Sequence, residues 1–378
     1  MFRNYVRQSS YIMKIFTKSF LLLALLNPFV TSAQNKAAHL DSIFNGFYLQ
    51  KVFSGNVLIA KNGQVVYQHS FGWADSVKQL HNNEATRFQL ASVSKQFTAA
   101  GIVALKEAGK LNFDDLLSKY IPELPYPGIT IRQLLNHTSG VPDYFVLFDK
   151  FWDKSKIASN NDMLAMLIEK HPQAMAAPGD AYNYSNTGYA LLAMVIERVS
   201  GKSFAEYMQS DVFKPFGLTH ALIYTRYAKP LQLTDLATGY VYADSLKRYA
   251  LPAQHPIWKT ALWEDGIYGE DGVNMTAEDL LKWDQQVFNR KVFTAEDWQQ
   301  ILTPGTPKNG TSDYGFGFHL LNQQGSGKAA YHSGGWPGFL IQNEQGLDNN
   351  YSIIILRNWY TTQTKMPLDA IRAILQAP

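Results

Sequence analysis

Cysteine is absent from the 378-residue chain. That absence excludes disulfide bonds, zinc sites built from cysteine, iron–sulfur clusters and thiol nucleophiles. Also missing are the Gly-x-Ser-x-Gly elbow, the His-Glu-x-x-His pair, the Gly-x-x-x-x-Gly-Lys phosphate loop and the Gly-x-Gly-x-x-Gly dinucleotide turn. The nine histidines have no metal-ligand spacing. The sequence therefore predicts that the protein uses no metal and no cofactor.

The chain has little excess charge of either sign once its N-terminus is set aside. Residues 1–33 carry four basic side chains and no acidic one, and the rest has 30 basic against 31 acidic residues. A basic surface of the kind that binds nucleic acid is not expected, so we predict no nucleic-acid partner. With 46% hydrophobic and 17% charged residues, the composition excludes a disordered chain.

A hydrophobic run of about 20 residues, as a membrane span requires, is also missing. The apolar run over residues 20–26 is short, follows Lys14 and Lys18, and precedes Pro28 and the small residues Thr31 to Ala33. This pattern is typical of a signal peptide over residues 1–33, whether translation starts at Met1 or at Met13. We expect an exported protein, periplasmic or secreted, without a membrane span after signal removal.

Strand patterns occupy both ends of the remaining chain and helical patterns occupy its middle. Asn62-Gly63 separates two β-rich runs and predicts a hairpin. Apolar residues then recur at helical spacing over most of residues 113–300, and alternation returns after about residue 312. We predict one α/β domain built from residues 34–112 and 305–378, with a mainly helical domain, residues 113–304, inserted between them.

The chain contains a single Ser-x-x-Lys, Ser92 to Lys95, at the start of a predicted helix. Residues three apart on a helix share a face, so the Lys95 amine can take the proton of the Ser92 hydroxyl. The free backbone amides of a helix N-terminus favour the negative charge that develops there. Such a short motif also arises by chance, so an ordinary helix start is equally compatible with it.

Two further motifs can be read chemically or as plain structure. Tyr184 and Asn186 place a phenol and a carboxamide side by side, but Asn186 could simply cap a helix next to a packed tyrosine. The run His332-Ser333-Gly334-Gly335 ends a predicted strand, where glycines let a substrate approach a free backbone N–H. A strand-ending turn is the alternative.

Together these motifs resemble the serine β-lactamase and penicillin-binding protein superfamily, in the branch with class C β-lactamases, DD-peptidases and esterases. Residues 133–142, 188–192 and 276–280 resemble it too, and the resemblance covers about residues 38 to 376. It implies a β-lactamase/transpeptidase-like fold, an antiparallel sheet flanked by helices.

The resemblance also implies a role for each motif residue. Ser92 would be the acylated nucleophile, Lys95 its proton acceptor, and Tyr184 the group that shuttles protons. Asn186 would contact the substrate amide, and the backbone N–H groups of Ser92 and Gly335 would form the oxyanion hole. Substrate would bind along the strand formed by His332, Ser333 and Gly334.

Some positions depart from the family pattern. His332 stands where many β-lactamases have lysine, and an ordinary imidazole gains charge only below about pH 6.5, so we expect attraction for a substrate carboxylate to grow as pH falls. The run over residues 271–275 replaces a more glycine-rich one. We expect His137 to be structural.

The leading hypothesis is an exported serine hydrolase, a D-Ala-type peptidase or esterase, that forms an acyl-enzyme on Ser92. A true class C-like β-lactamase and a catalytically idle binder of cell-wall peptides are the alternatives. The expected partner is a small molecule or peptide, namely an acyl-D-amino acid, an ester or a β-lactam. The sequence leaves the oligomeric state open.

Overall fold

A computed structural model describes residues 35–228, 233–245, 247–323, 327–361 and 364–377. The predicted signal peptide, residues 1–33, lies outside these described residues. Within them, no helix combines the length and the apolar character that crossing a bilayer needs.

The chain forms two compact units. Of the described residues, the smaller contains 35–46 and 366–377, and in it the Lys36 ammonium donates to the Ala377 carbonyl at 2.6 Å. The larger unit, Phe47–Lys365, contains every residue predicted for the site. The predicted domain boundaries at residues 112 and 305 fall inside the larger unit and stay a prediction.

Helices are distributed along the whole described chain. The α-helices are α1 (residues 35–49), α2 (Lys95–Glu107), α3 (Ile131–Leu135), α4 (Tyr144–Phe151), α5 (Asn160–Lys170), α6 (Asn186–Ser200), α7 (Phe204–Tyr207), α8 (Thr260–Trp263), α9 (Ala277–Asn289), α10 (Ala295–Ile301) and α11 (Leu368–Gln376). Short 3-10 helices cover Ala91–Ser94, Leu117–Lys119, Pro252–Gln254 and Pro256–Trp258, and a π-helix covers Met208–Phe213. Hydroxyl side chains cap several helices, and Thr276, for example, accepts the Asp279 N–H at the start of α9.

Strands come from both ends of the larger unit and from its middle. The strands are β1 (Gly55–Lys61), β2 (Gln64–Phe71), β3 (Trp73–Asp75), β4 (Leu80–His81), β5 (Phe88–Gln89), β6 (Leu222–Ile223), β7 (Tyr240–Ala243), β8 (Arg248–Ala250), β9 (Val273–Met275), β10 (His319–Gln323), β11 (Gly327–Trp336), β12 (Phe339–Gly346), β13 (Tyr351–Arg357) and β14 (Trp359–Tyr360).

The main sheet has six antiparallel strands in the order β10-β11-β12-β13-β1-β2. The N-terminal strand β1 pairs with the C-terminal strand β13, with Leu58 opposite Ile354. The β1–β2 hairpin turns at Asn62 and Gly63, whose φ angles of 52° and 74° are those that this dipeptide favours. The prediction of a hairpin and of a sheet built from both chain ends is confirmed.

Helix α2 is central to the larger unit, because ten of its 13 residues are buried. It packs against α6, while α9 contacts β1 and β13. Burying a side chain such as Phe97 stabilises the folded chain by roughly 1.5–3 kcal/mol. This packing fixes the position of α2, and with it the position of the residues that directly precede the helix.

The middle of the chain is less purely helical than predicted. It contributes strands β6 to β9 to two small sheets, β14-β7-β8 and β5-β9-β6. The alternation predicted after about residue 312 gives a strand only from His319, because Gly317 adopts a φ of 81° and turns the chain just before it. Very short strands leave little periodicity to detect, so sequence patterning missed them.

A buried polar network joins α9 to the main sheet. The Asp284 carboxylate is fully buried and accepts hydrogen bonds from the amides of Asn343, at 3.0 Å, and Gln345, at 2.6 Å. Burial raises the pKa of Asp284 to about 7, although these amide donors favour its charged form.

This raised pKa predicts a pH-dependent stability. The folded chain holds the Asp284 proton more tightly than the unfolded chain, whose aspartates titrate near pH 3.9. The stabilisation is therefore complete below about pH 4 and is lost as pH rises to about 7. We expect the stability of the wild type, measured against that of Asp284→Asn by urea unfolding, to fall by about 2 to 4 kcal/mol over this range.

The control is Asp149→Asn, whose side chain is 80% exposed. The stability of the wild type relative to this control variant should not fall in the same way as pH rises. If the difference in the free energy of unfolding between wild type and Asp284→Asn stayed constant from pH 4 to pH 7.5, the prediction would be contradicted.

Candidate active site

Ser92 lies in the 3-10 helix Ala91–Ser94, which continues directly into α2. Ala91 has a φ of 48°, in the left-handed region, and this strain of roughly 1–3 kcal/mol is held by the surrounding structure. The Ser94 hydroxyl accepts the Val273 N–H at 3.1 Å and so ties the turn to β9. Ser92 is partly exposed between buried neighbours, which leaves its hydroxyl accessible.

Lys95 is the first residue of α2 and is fully buried. Its Nζ lies 3.1 Å from the Ser92 Oγ, 2.8 Å from the Asn186 Oδ1 and 3.0 Å from the Glu270 carbonyl oxygen. An ammonium has three hydrogens to donate, so this set of acceptors satisfies it. The predicted contact between Ser92 and Lys95 is present.

Tyr184 places its ring beside this ammonium, with the Lys95 Nζ 5.0 Å from the ring centroid. Its hydroxyl is buried and has no hydrogen-bond partner among the described residues. Buried polar atoms are normally paired, so an unpaired hydroxyl at this point suits a group that meets a substrate or a water molecule.

Asn186, at the start of α6, is held on both sides. Its Oδ1 accepts from Lys95, while its backbone N–H and Nδ2 lie 3.3 and 3.4 Å from the Asp143 carboxylate. The carboxamide therefore orients Lys95 in this structure. Its contact with a substrate amide stays a prediction.

His332 is buried in β11, and both of its ring nitrogens have partners inside the protein. The Nδ1 donates to the Ser333 carbonyl at 2.7 Å, so the Nε2, 2.9 Å from the Tyr314 hydroxyl, accepts from it. Burial, and next the charge of Lys95, hold the pKa of His332 well below its usual range. The expectation that His332 gains charge just below pH 6.5 is therefore wrong, because a buried imidazole beside an ammonium stays neutral there.

The edge of β11 faces the turn that carries Ser92. The pairing of β10 with β11 ends at Tyr331, so residues 332–336 pair with β12 alone. A Cβ on Gly334 would lie 2.4 Å from the Leu90 carbonyl oxygen and 3.1 Å from the Ser92 nitrogen. Glycine lets the strand approach the turn this closely, and the oxyanion role of the Ser92 and Gly335 N–H groups stays a prediction.

The structure adds residues that sequence patterns missed. The Glu270 carboxylate lies 3.9 Å from the Lys95 Nζ, and the Tyr144 hydroxyl donates to it at 2.7 Å. Burial raises the pKa of Glu270, while the Lys95 ammonium opposes this shift. The less glycine-rich run over residues 271–275 was the available signal, and it begins one residue after Glu270.

His137 is fully buried, and its Nδ1 accepts the Ser185 N–H at 3.1 Å. Burial and the charge of Lys95 hold its pKa well below the usual range. Its ring lies against Tyr184, with centroids 4.2 Å apart, which fits the structural role expected of it.

A cavity of about 310 Å³ adjoins the C-terminal end of β11. Its lining includes Gln89, three residues before Ser92, and Trp336, next to Gly335, with Arg226 and Asp265 on other walls. Groups of His, Asp and Glu arranged to hold a metal ion are not found in the described parts of the chain.

An antiparallel sheet built from both chain ends, with a Ser-x-x-Lys helix against the exposed edge of a strand, is the architecture of serine β-lactamases and penicillin-binding proteins. Comparison with known proteins agrees, since the Beta-lactamase family matches residues 40–377. The chain belongs to this family and is a serine hydrolase.

Two relatives come from Bacillus subtilis (strain 168). Penicillin-binding protein 4* is 38% identical over 326 residues, covering 86% of this chain and 72% of the relative. The putative penicillin-binding protein PbpX is 31% identical over 82% of this chain and 72% of its own.

Solved structures share the fold. A penicillin-binding protein from Bacillus halodurans has a TM-score of 0.75 and 28% identity, over 89% of this chain and 98% of its own. The D-amino acid amidase of Ochrobactrum anthropi SV3 has a TM-score of 0.71 at 20% identity, over 93% and 99% of the two chains.

The close approach at Gly334 predicts a loss of activity in Gly334→Ala. Its Cβ would force β11 away from the Ser92 turn, and a shift of about 1 Å can cost about 100-fold in rate. The measurement is the rate of labelling by a fluorophosphonate. Gly188→Ala is the control, because its Cβ would meet its nearest neighbour at 3.6 Å, an ordinary contact. Equal labelling rates in the two variants would contradict this account of the strand.

Proposed function

We propose that the protein hydrolyses acyl-D-amino acid peptides or esters through an acyl-enzyme on Ser92. The observation that carries the proposal is the 3.1 Å contact between the Ser92 Oγ and the buried Nζ of Lys95. Once the lysine is in its amine form, that contact pairs a nucleophile with a proton acceptor at hydrogen-bond distance.

Acylation would begin when the Ser92 Oγ attacks the substrate carbonyl carbon. The hydroxyl proton passes to the amine form of Lys95, and the carbonyl oxygen becomes an oxyanion that the N–H groups of Ser92 and Gly335 stabilise. Removing one such donor typically slows catalysis by a factor of about 10² to 10³.

The tetrahedral intermediate would collapse when the bond to the leaving group breaks. The Tyr184 phenol, beside the Lys95 ammonium, gives its proton to the leaving nitrogen or oxygen and is reprotonated from Lys95. In deacylation a water molecule attacks the ester, and its proton travels the reverse route. The unpaired hydroxyl of Tyr184 supports this role, since a partner is supplied when substrate or water binds.

The environment of His332 supports a preference for esters, and for peptides that need no carboxylate for binding, over penicillins. A neutral, buried imidazole offers no fixed positive charge to a substrate carboxylate. The cavity next to Trp336 offers room for the side group of the acyl portion, which would extend past Gly335.

Penicillin acylation is the second candidate activity, because the two Bacillus subtilis relatives are named penicillin-binding proteins. Penicillins would acylate the same serine, and the rate of deacylation separates a β-lactamase from a peptidase that penicillin inhibits. Export to the periplasm or the medium is part of the proposal and rests on the pattern of residues 1–33.

Intact-protein mass spectrometry after exposure to penicillin, to an acyl-D-Ala-D-Ala peptide and to a short-chain p-nitrophenyl ester tests the proposal. We expect an adduct on Ser92 and none in Ser92→Ala. Ester turnover should exceed penicillin turnover. An adduct on Ser94 or Ser333 would overturn the assignment of Ser92 as the nucleophile. Rapid penicillin turnover would favour the β-lactamase activity.

A double mutant tests the shared proton route. Lys95→Ala should slow acylation by several orders of magnitude, and Tyr184→Phe should slow turnover while leaving Ser92 reactive. Because groups that act as a unit have non-additive effects, the double variant should be little slower than the slower single one. Additive losses in kcat/KM would argue for separate roles.

A further inference from the structure

We infer that Glu270, held by Tyr144, is a positioning residue that sets the place of the active-site lysine and the electric field at its Nζ. The inference rests on the proposed function, in which the amine form of Lys95 accepts the Ser92 proton. It concerns a carboxylate that the proposed reaction itself does not use.

The backbone brings Glu270 to Lys95 by a close approach. Gly269 has a φ of 107°, and a Cβ there would lie 2.5 Å from the Tyr189 carbonyl oxygen of α6. The Thr98 hydroxyl donates to the Gly269 carbonyl at 2.6 Å and ties the same point to α2. The Glu270 carbonyl is thereby fixed 3.0 Å from the Lys95 Nζ.

The side chain of Glu270 returns to the same ammonium. Its Oε2 lies 3.9 Å from the Lys95 Nζ, and its Oε1 accepts from the Tyr144 hydroxyl. Tyr144 is fully buried, and burial raises the pKa of its phenol well above the usual range, so the hydroxyl remains a donor. The carboxylate is thus held in one position.

The start of α4 controls both neighbours of the lysine. Asp143 holds the Asn186 carboxamide, and Tyr144 holds Glu270. The Tyr144 N–H also donates to the Thr187 hydroxyl at 2.8 Å, which fixes α4 to the start of α6. Consecutive residues of one helix therefore position two groups that touch Lys95.

Several ionisable groups face Glu270. They are Lys95 from α2, Asp143 and Tyr144 from the start of α4, and Glu264 and Asp271 from its own segment. Among these, Lys95 is the group that its carboxylate attracts. At this distance the negative charge of the carboxylate acts directly on the Lys95 Nζ, so its removal should alter the pH dependence of the reaction.

The test is the pH profile of kcat/KM for a p-nitrophenyl ester between pH 5 and pH 9. In Glu270→Gln we expect the rising limb of the kcat/KM profile to move by about one pH unit toward acid, because the carboxylate that attracts the ammonium is gone. Misplacement of the lysine should also lower the plateau, by about tenfold. Glu270→Asp keeps the charge and should keep the wild-type position of the limb.

Glu264→Gln is the matched control, since Glu264 is a buried carboxyl of the same segment and has no ion pair with Lys95 in the described structure. The rising limb of the kcat/KM profile of this control variant should stay at the pH observed for the wild type. If Glu270→Gln fails to fold, Tyr144→Phe replaces it and should move the limb in the same direction by a smaller amount.

A limb that stays in place in both Glu270→Gln and Tyr144→Phe would overturn the inference while leaving the proposed function intact. Failure of the wild type to be labelled on Ser92 would instead overturn the proposed function and the inference with it.

Discussion

The buried ammonium of Lys95 is the interaction on which the rest of the site depends. A charge removed from water costs several kcal/mol unless it is paired and hydrogen-bonded. Its acceptors come from the Ser92 turn, from Asn186 of α6 and from Glu270. These residues are far apart along the chain, so the ammonium is satisfied only when the helices and the segment before β9 have packed together. Folding and assembly of the site are therefore one process.

The main sheet supplies the other half of the geometry. Residues near both ends of the larger unit meet where β1 pairs with β13, and β11 lies two strands further along. The position of its edge relative to Ser92 is set by Gly334, where a side chain would meet the Leu90 carbonyl. One backbone contact thus defines the width of the gap between nucleophile and strand, and so the place where a substrate carbonyl can lie.

Short sequence patterns predicted those parts of the fold and site that are formed by residues close together in the chain. Asn62-Gly63 determines a hairpin by itself, and Ser92 and Lys95 share a face because of helical spacing. The contact of Tyr144 with Glu270 joins residues 126 apart, and neither residue lies in a motif. The burial of His332 depends likewise on Tyr314, a partner brought in by a different segment. Chemistry carried by such distant pairs leaves no periodicity or spacing in the sequence.

The electrostatics around Ser92 follow from one cation. Burial, and next the positive charge of Lys95, lower the pKa values of His137 and His332 and keep both imidazoles neutral. The lysine therefore suppresses further positive charge near itself. The aromatic ring of Tyr184 and the neutral imidazole of His137 then lie near this cation, and in the proposed reaction backbone N–H dipoles would stabilise the oxyanion. Dipoles fixed in a water-poor site stabilise charge without reorganising during the reaction. In the proposed reaction, such a site would discriminate substrates by the fit of the acyl group along β11 more than by attraction for a distant carboxylate.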